Sequence, residues 1–227
     1  MNVQLWGDSI CRGVVLDEKK GRYTFLEDNK INKMGLLPNI NFKNKSIFGQ
    51  TTTRMISKLK QYFIGGNVAD YVIVELGGND CDLDWQQVGD NPKNEHKAKT
   101  VLEDYEQRLD EIIEFLRSNN SVPVFVSLPP LEYDKFFDWV TQKNVNKDGV
   151  LEYLGTTKAI YDWQESYDNS LRKVCERNKV NLIDIRSKFL ESKDYGSLLC
   201  LDGMHPNEIG NALIADTLME SFVKIIQ

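Results

Sequence analysis

Asn2-Val-Gln-Leu-Trp6-Gly7-Asp8-Ser9-Ile10 begins almost at the first residue of the chain, and the fold is read outward from it. The short apolar run alternating toward Trp6 reads as a strand. It stops at Gly7-Asp8-Ser9, a small polar turn that leaves a hydroxyl at the strand's C-terminal tip. In an open α/β sheet that tip is where ligands bind. A serine there serves as a nucleophile only if the chain also supplies a base, a carboxylate to orient it and donors for a developing oxyanion. Taken alone, the tripeptide is an ordinary turn.

Beyond Ile10 the chain is irregular to Pro38, punctuated by Gly13, Gly21 and Gly35, with a helical turn expected near Ile10–Val15 before a crossover. A second strand fits Asn41–Ile47. Gly49-Gln-Thr51-Thr52-Thr53 follows, and the threonines suit the cap of a helix carrying Met55, Ile56, Leu59, Tyr62 and Phe63. Tyr71-Val-Ile-Val-Glu-Leu76 is nearly continuous in apolar residues, as a buried parallel strand should be. Glu75 interrupts it near its end; a buried, partnered acid is one reading, and a side chain reaching the rim is the expected one. Gly77-Gly78-Asn79-Asp80 closes that strand, and a polar loop runs to about Lys99.

Thr100–Arg117 has the apolar spacing of an amphipathic helix. Val122–Leu128 reads as the fourth strand, with Pro123 tolerated only at its start. The stretch 133–155 is longer than most strand-to-helix connections and reads as an insertion. A helix over Thr157–Asn178, a fifth strand over Asn181–Ile185 and a closing helix over Glu208–Ile226 complete the chain. Strands alternating with helices imply a single domain over residues 1–227, a three-layer α/β/α sandwich about a five-stranded parallel sheet. Ser9, Gly49, Asn79 and the Asp202–His205 loop then share one edge of it.

Composition narrows the function. The chain has 227 residues, 41% hydrophobic and 27% charged, the balance of a globular protein. With 28 basic against 34 acidic residues the net charge is -6, which disfavours a nucleic-acid partner. No apolar run approaches the roughly 20 residues that span a bilayer, and no signal peptide is recognisable, so the expected location is the cytoplasm, away from membranes. Cys11, Cys81, Cys175 and Cys200 are scattered and fit free thiols; with only His96 and His205 as imidazoles, no metal site is expected.

His205 is the natural base. It precedes Pro206, which suits the first position of a helix, so the imidazole is expected at that helix's cap. Asp202, three residues earlier, is near enough to fix the imidazole's tautomer and orientation. His96 lies in a charged stretch and reads as surface. The backbone N–H groups of Ser9 and Gly49 and the Asn79 amide are candidate oxyanion donors, Gly49 because a residue without Cβ lets backbone approach a ligand closely.

Taken in order, Gly7-Asp8-Ser9, Gly49, Gly77-Gly78-Asn79-Asp80 and Asp202-Gly-Met-His205-Pro206 resemble the GDSL family of SGNH hydrolases, named for Ser, Gly, Asn and His in four blocks. Ile10 stands where the family more often has leucine. The resemblance implies a flavodoxin-like SGNH hydrolase fold and an ester hydrolase without cofactor. It also implies Ser9 as nucleophile, His205 as base, Asp202 as orienting acid, and Ser9, Gly49 and Asn79 as the oxyanion hole. The Gly-x-Ser-x-Gly elbow of the α/β-hydrolases is absent. A longer-chain lipase, thioesterase or acyltransferase with the same triad is the alternative among enzymes. A non-catalytic carbohydrate- or ester-binding module is the alternative from another class, and a nucleotide-binding flavodoxin-like protein is a weaker one, since no phosphate loop is present.

The substrate is hinted at by aromatics. Tyr133, Phe136, Phe137, Trp139, Tyr153, Tyr161, Trp163 and Tyr167 follow the fourth strand, and Trp85 follows Asn79. Trp85 and Trp139 are the expected substrate contacts, as flat walls for a sugar face; the rest of the cluster equally suits internal packing. The charged insertion is ill suited to an apolar lid. A short acyl ester of a polar alcohol, such as an acetylated carbohydrate, is the expected substrate.

Overall fold

The computed structural model describes residues 1–227. Its elements in chain order are β1 (Asn2–Gly7), α1 (Ser9–Arg12), β2 (Val14–Asp17), β3 (Arg22–Phe25), a 3-10 turn (Lys30–Leu36), β4 (Asn41–Asn44), α2 (Thr52–Ile64), β5 (Tyr71–Glu75) and α3 (Trp85–Asp90). There follow α4 (Leu102–Ser118), β6 (Val122–Val126), α5 (Tyr133–Val140), α6 (Lys147–Leu154), α7 (Lys158–Asn178), β7 (Asn181–Ile183), α8 (Ile185–Leu190), a 3-10 turn (Tyr195–Leu198) and α9 (Glu208–Ile225).

Five strands form one parallel sheet in the order β4-β1-β5-β6-β7. Counting only those strands the order is 2-1-3-4-5, the doubly wound arrangement whose switch point lies between the first and third strands. The C-terminal ends of β1 and β5 flank that point, which brings the turn at Ser9 beside the turn at Asn79.

Strand period divides the core between two faces. Trp6, Val72, Val74 and Phe125 point to one side, where Met55, Leu59, Tyr105, Leu109, Ile112, Leu171 and Val174 of α2, α4 and α7 cover them. Val3, Leu5, Ile73, Val124 and Val126 point to the other, against Ile214, Leu218 and Phe222 of α9 and Ile31 and Met34 of the first 3-10 turn. Thr51 caps α2, its hydroxyl accepting from Arg54 N–H. Pro123 pairs across to Val72 of β5 but precedes Val124, where pairing with β7 begins, so its missing N–H costs no bond on that side.

Four expectations need correction. The segment after Ile10 is not an irregular crossover: α1 stops at Gly13, in the left-handed region at φ 76°, and an antiparallel hairpin follows, pairing Val14–Asp17 with Arg22–Phe25. The polar loop before Lys99 contains α3. The fifth strand ends at Ile183, where the Asp184 carboxylate accepts from Ser187 N–H and starts α8. Finally, Glu75 does not reach the rim; it is completely buried. The stretch 133–155 folds as α5 and α6, with Phe136, Phe137 and Val150 in the core. No helix is long and apolar enough to cross a membrane.

Candidate active site

Ser9 is the first residue of α1, so its N–H is among those a helix start leaves unpaired. Its hydroxyl lies 2.9 Å from His205 Nε2, a contact spanning 196 residues of sequence. His205 Nδ1 is 2.8 Å from Asp202 Oδ2. A carboxylate can only accept, so Nδ1 carries the ring proton and Nε2 accepts from Ser9 Oγ–H. All three residues are buried, Asp202 completely.

The Asp202 loop is held from within. Asp202 Oδ1 accepts from the N–H groups of Met204 and His205, each at 3.0 Å, and Cys200 N–H donates to the His205 carbonyl at 2.8 Å. Burial alone would push the Asp202 carboxyl up, but the His205 ring, its charge and these N–H groups outweigh burial and hold it below the usual carboxylate range. Gly203, at φ 69°, turns the loop so tightly that a Cβ would stand 2.4 Å from the Glu132 carbonyl oxygen. His205 is not the cap of α9. Asn207 takes that position, its Oδ1 accepting from Ile209 and Gly210 N–H, and Pro206 lies outside the helix. An asparagine that satisfies two orphan donors is the better cap, and the helix begins after it.

Asn79 stands across from Ser9. Its Nδ2 donates to Asp8 Oδ2 at 2.8 Å, while Asp8 Oδ1 accepts from Ile10 N–H at 2.8 Å. One N–H of the amide is thereby anchored, leaving the other for the cavity. Burial raises the Asp8 carboxyl to about 6, against the opposing pull of the Ile10 N–H, His205 and the Asn79 amide. Neighbouring Asp80 accepts from Thr52 Oγ1 at 2.6 Å and ties the Asn79 turn to the start of α2.

Gly49 has φ 69°, and a Cβ there would meet nothing within 4 Å. The left-handed backbone at this position is itself a reason for glycine, apart from any approach to a ligand. The Gly49 N–H has no protein acceptor, and the ring of the preceding Phe48 lies 6.3 Å from that of His205.

Ser9, Asn79 and His205 open into one cavity of about 340 Å³. Trp85 and Trp139 both line it, as do Trp163, Tyr23, Phe48 and Phe136. The aromatic cluster is thus divided: Tyr133 pairs with Tyr161, Tyr153 packs on His96, and Phe137 and Tyr167 belong to the core. Trp85 is held by its indole N–H to Asp82 at 2.9 Å and by Phe136 edge-to-face, and Trp163 donates to the Cys81 carbonyl at 2.8 Å. Leu128, Leu131, Val140, Ile160 and Met204 make further apolar wall; Asp82, Lys99 and Gln164 are polar. His96, half-buried against Tyr153, is not part of the lining.

Tyr23 and Asp8 were not singled out in the sequence. Tyr23 belongs to a hairpin with no apolar alternation, and Asp8 reads as part of a turn. Trp163 is visible only as one ring among many. No group of three or more His, Cys, Asp or Glu side chains is arranged to hold a metal ion.

A hydroxyl bonded to an imidazole, itself bonded to a buried carboxylate, beside free N–H donors, is an arrangement suited to acyl transfer. Residues 5–213 match the model of the GDSL-like lipase/acylhydrolase family. The chain belongs to that family. This GDSL-type ester hydrolase shares its fold with several solved structures. A lipase/acylhydrolase from Enterococcus faecalis superposes with a TM-score of 0.70 at 16% identity, covering 99% of this chain and 96% of that one. A G-D-S-L family lipolytic protein from Veillonella parvula gives 0.66 at 17% identity, covering 99% of each. A catalytic mutant of Axe2, an acetylxylan esterase from Geobacillus stearothermophilus, gives 0.65 at 17% identity, covering 96% and 92%. No curated protein sequence matches the chain.

Proposed function

We propose that this GDSL hydrolase cleaves short-chain carboxylic esters, acetyl groups on carbohydrates among them, with Ser9 as nucleophile, His205 as base and Asp202 as orienting acid. The observation that carries the reading is the unbroken chain from Ser9 Oγ to His205 Nε2 at 2.9 Å and from His205 Nδ1 to Asp202 at 2.8 Å.

In the first half-reaction Ser9 Oγ attacks the ester carbonyl as its proton passes to His205 Nε2. Asp202 stabilises the imidazolium so formed. The negative charge on the tetrahedral oxygen is met by the N–H groups of Ser9 and Gly49 and the free N–H of Asn79. His205 then gives its proton to the departing alkoxide. In the second half-reaction water, deprotonated by His205, attacks the acyl-enzyme, and Ser9 recovers its proton as the acid leaves.

The short-acyl, carbohydrate part of the reading is supported by the three tryptophans around a cavity edged by Asp82, Lys99 and Gln164. The solved acetylxylan esterase with the same fold is consistent with it. A longer acyl chain is the second reading, favoured by Leu128, Leu131, Val140, Ile160 and Met204 in the same wall. A fluorophosphonate probe tests the core of the proposal. It should label the wild type once, on Ser9, and labelling that survives in Ser9→Ala would refute the assignment.

A further inference from the structure

Glu75 is the last residue of β5 and has no exposed surface. Neither of its carboxyl oxygens receives a well-formed hydrogen bond from any N–H or hydroxyl group. An ionised carboxylate in that position would be desolvated without compensation, which a fold does not tolerate cheaply. Its polar neighbours are the backbone N–H and carboxyl of Asp8 and the thiol of Cys11. Gly7 pairs with Glu75 across the sheet. A Cβ on Gly7 would stand 3.2 Å from Glu75 Oε2, 3.1 Å from Ser46 Oγ and 2.8 Å from Cys11 Cβ, so the glycine makes room for the carboxyl to lie under the Asp8 turn.

We propose that Glu75 is a positioning residue whose buried neutral carboxyl donates to the Asp8 carboxylate, and that Asp8 in turn fixes the Asn79 amide for the oxyanion. The inference rests on the reading of Ser9 and Asn79 given above.

Two buried carboxyls in contact cannot both be charged, so the pair holds one proton. Asp8 has the surroundings that favour the charged form: two donors, Ile10 N–H and the Asn79 amide, and the positive charge of a protonated His205 nearby. Its other charged neighbour, Asp80, opposes ionisation. Glu75 meets Asp8 and Cys11, with the Ser46 hydroxyl beside the same glycine but not bonded to it, and burial together with the Asp8 charge pushes it well above the usual carboxylate range. The proton therefore resides on Glu75, and Asp8 is its acceptor. So braced, the Asp8 carboxylate accepts from Ile10 on one oxygen and Asn79 on the other, and Asn79 is left with a single N–H aimed outward. Oxyanion donors act through fixed placement, so slack in this relay would appear in kcat.

The test compares Glu75→Gln with Glu75→Met. Glutamine keeps a donor and an acceptor in the same volume, and kcat should stay close to wild type. Methionine fills the space without a donor, and kcat should fall about 10-fold or more with KM little changed. A Gln variant as impaired as the Met variant, or a folded Met variant with wild-type kcat, would overturn the proposal. Two measurements hold even if the Met variant does not fold. Difference infrared spectra of wild type minus Glu75→Gln near neutral pH should contain a neutral-carboxyl stretch. The Asn79 side-chain amide should be protected from hydrogen exchange in both proteins. Absence of the carboxyl band or of the protection would refute the relay. Failure of the fluorophosphonate to label Ser9 would instead remove the catalytic reading and leave the buried acid pair standing.

Discussion

The ring of Tyr23 lies 4.8 Å from that of His205, centroid to centroid, and tilted by 56°. Tyr23 also packs edge-on against Trp139 at 5.8 Å and against Phe48 at 5.6 Å. One residue of a peripheral hairpin therefore covers the imidazole and joins it to the aromatic wall. Its hydroxyl is buried without a well-formed hydrogen bond, close to Asp202 and Trp139.

The ring and the hydroxyl should separate by mutation. Tyr23→Ala uncovers the imidazole to water and removes the support of Trp139; kcat/KM should fall about 10-fold, a loss of about 1.4 kcal/mol of transition-state stabilisation. Tyr23→Phe keeps the ring and removes a poorly satisfied buried group, so it should be no less stable than wild type in thermal melts. If Tyr23→Ala keeps full activity, the hairpin is a bystander.

Asp202→Asn retains most of the loop but cannot hold the same imidazole tautomer. By the logic of such triads kcat should fall by about 10³ to 10⁴ while circular dichroism is unchanged. His96→Ala should leave turnover untouched. Near-normal turnover in His205→Ala would defeat the assignment, because His96 is the only other imidazole in the chain.

Asp8 couples stability to pH. Its carboxyl is raised from an ordinary 3.8 to about 6 by burial. A folded-state value above the unfolded one stabilises the fold at low pH; that contribution is complete below the unfolded value and is lost as pH rises through about 6. Asp8→Asn does not titrate. Relative to wild type, the variant should therefore gain stability between about pH 4 and about pH 8, by up to about 3 kcal/mol whatever the constant offset. Urea unfolding across that range measures it, and a pH-independent difference would contradict the buried charge. The same variant leaves either Ile10 N–H or the Asn79 amide without its acceptor, so kcat should drop even where stability rises.

The parallel sheet was legible because Tyr71–Glu75 and Val122–Val126 are β-branched and apolar along nearly their whole length, a pattern burial on both faces demands. The Asp202 and His205 pair was legible because three residues of loop bring them together. Nothing local marks the hairpin: only Val14 and Leu16 are buried in it, while Arg22, Thr24 and Phe25 are exposed. Glu75 was misplaced for a related reason. Whether an acid at a strand end turns to water or to the core depends here on Asp8 and Gly7, far away in sequence, and no periodicity in β5 records them.

Substrate size is decided by how the cavity of about 340 Å³ is shared between acyl group and alcohol. Ser9, Asn79 and His205 all open into it, so the acyl carbon must sit beside them and the rest of the substrate takes what is left. Trp85 and Trp139 line it together with the polar Asp82, Lys99 and Gln164, and on the proposed reading the rings take the sugar and the polar groups its hydroxyls. kcat/KM should therefore be highest for acetyl or propionyl esters and fall with chain length. Each methylene without an apolar place forgoes about 0.8 kcal/mol of burial, close to a 4-fold step per carbon. On that reading Trp85→Ala and Trp139→Ala should raise KM for an acetylated oligosaccharide more than for nitrophenyl acetate, which has no sugar to set against the rings. The opposing outcome is equally concrete. A rise in kcat/KM from acetate to octanoate would mean that Leu128, Leu131, Val140 and Ile160 form the acyl site. The substrate reading would then fall while Ser9, His205 and Asp202 kept their roles.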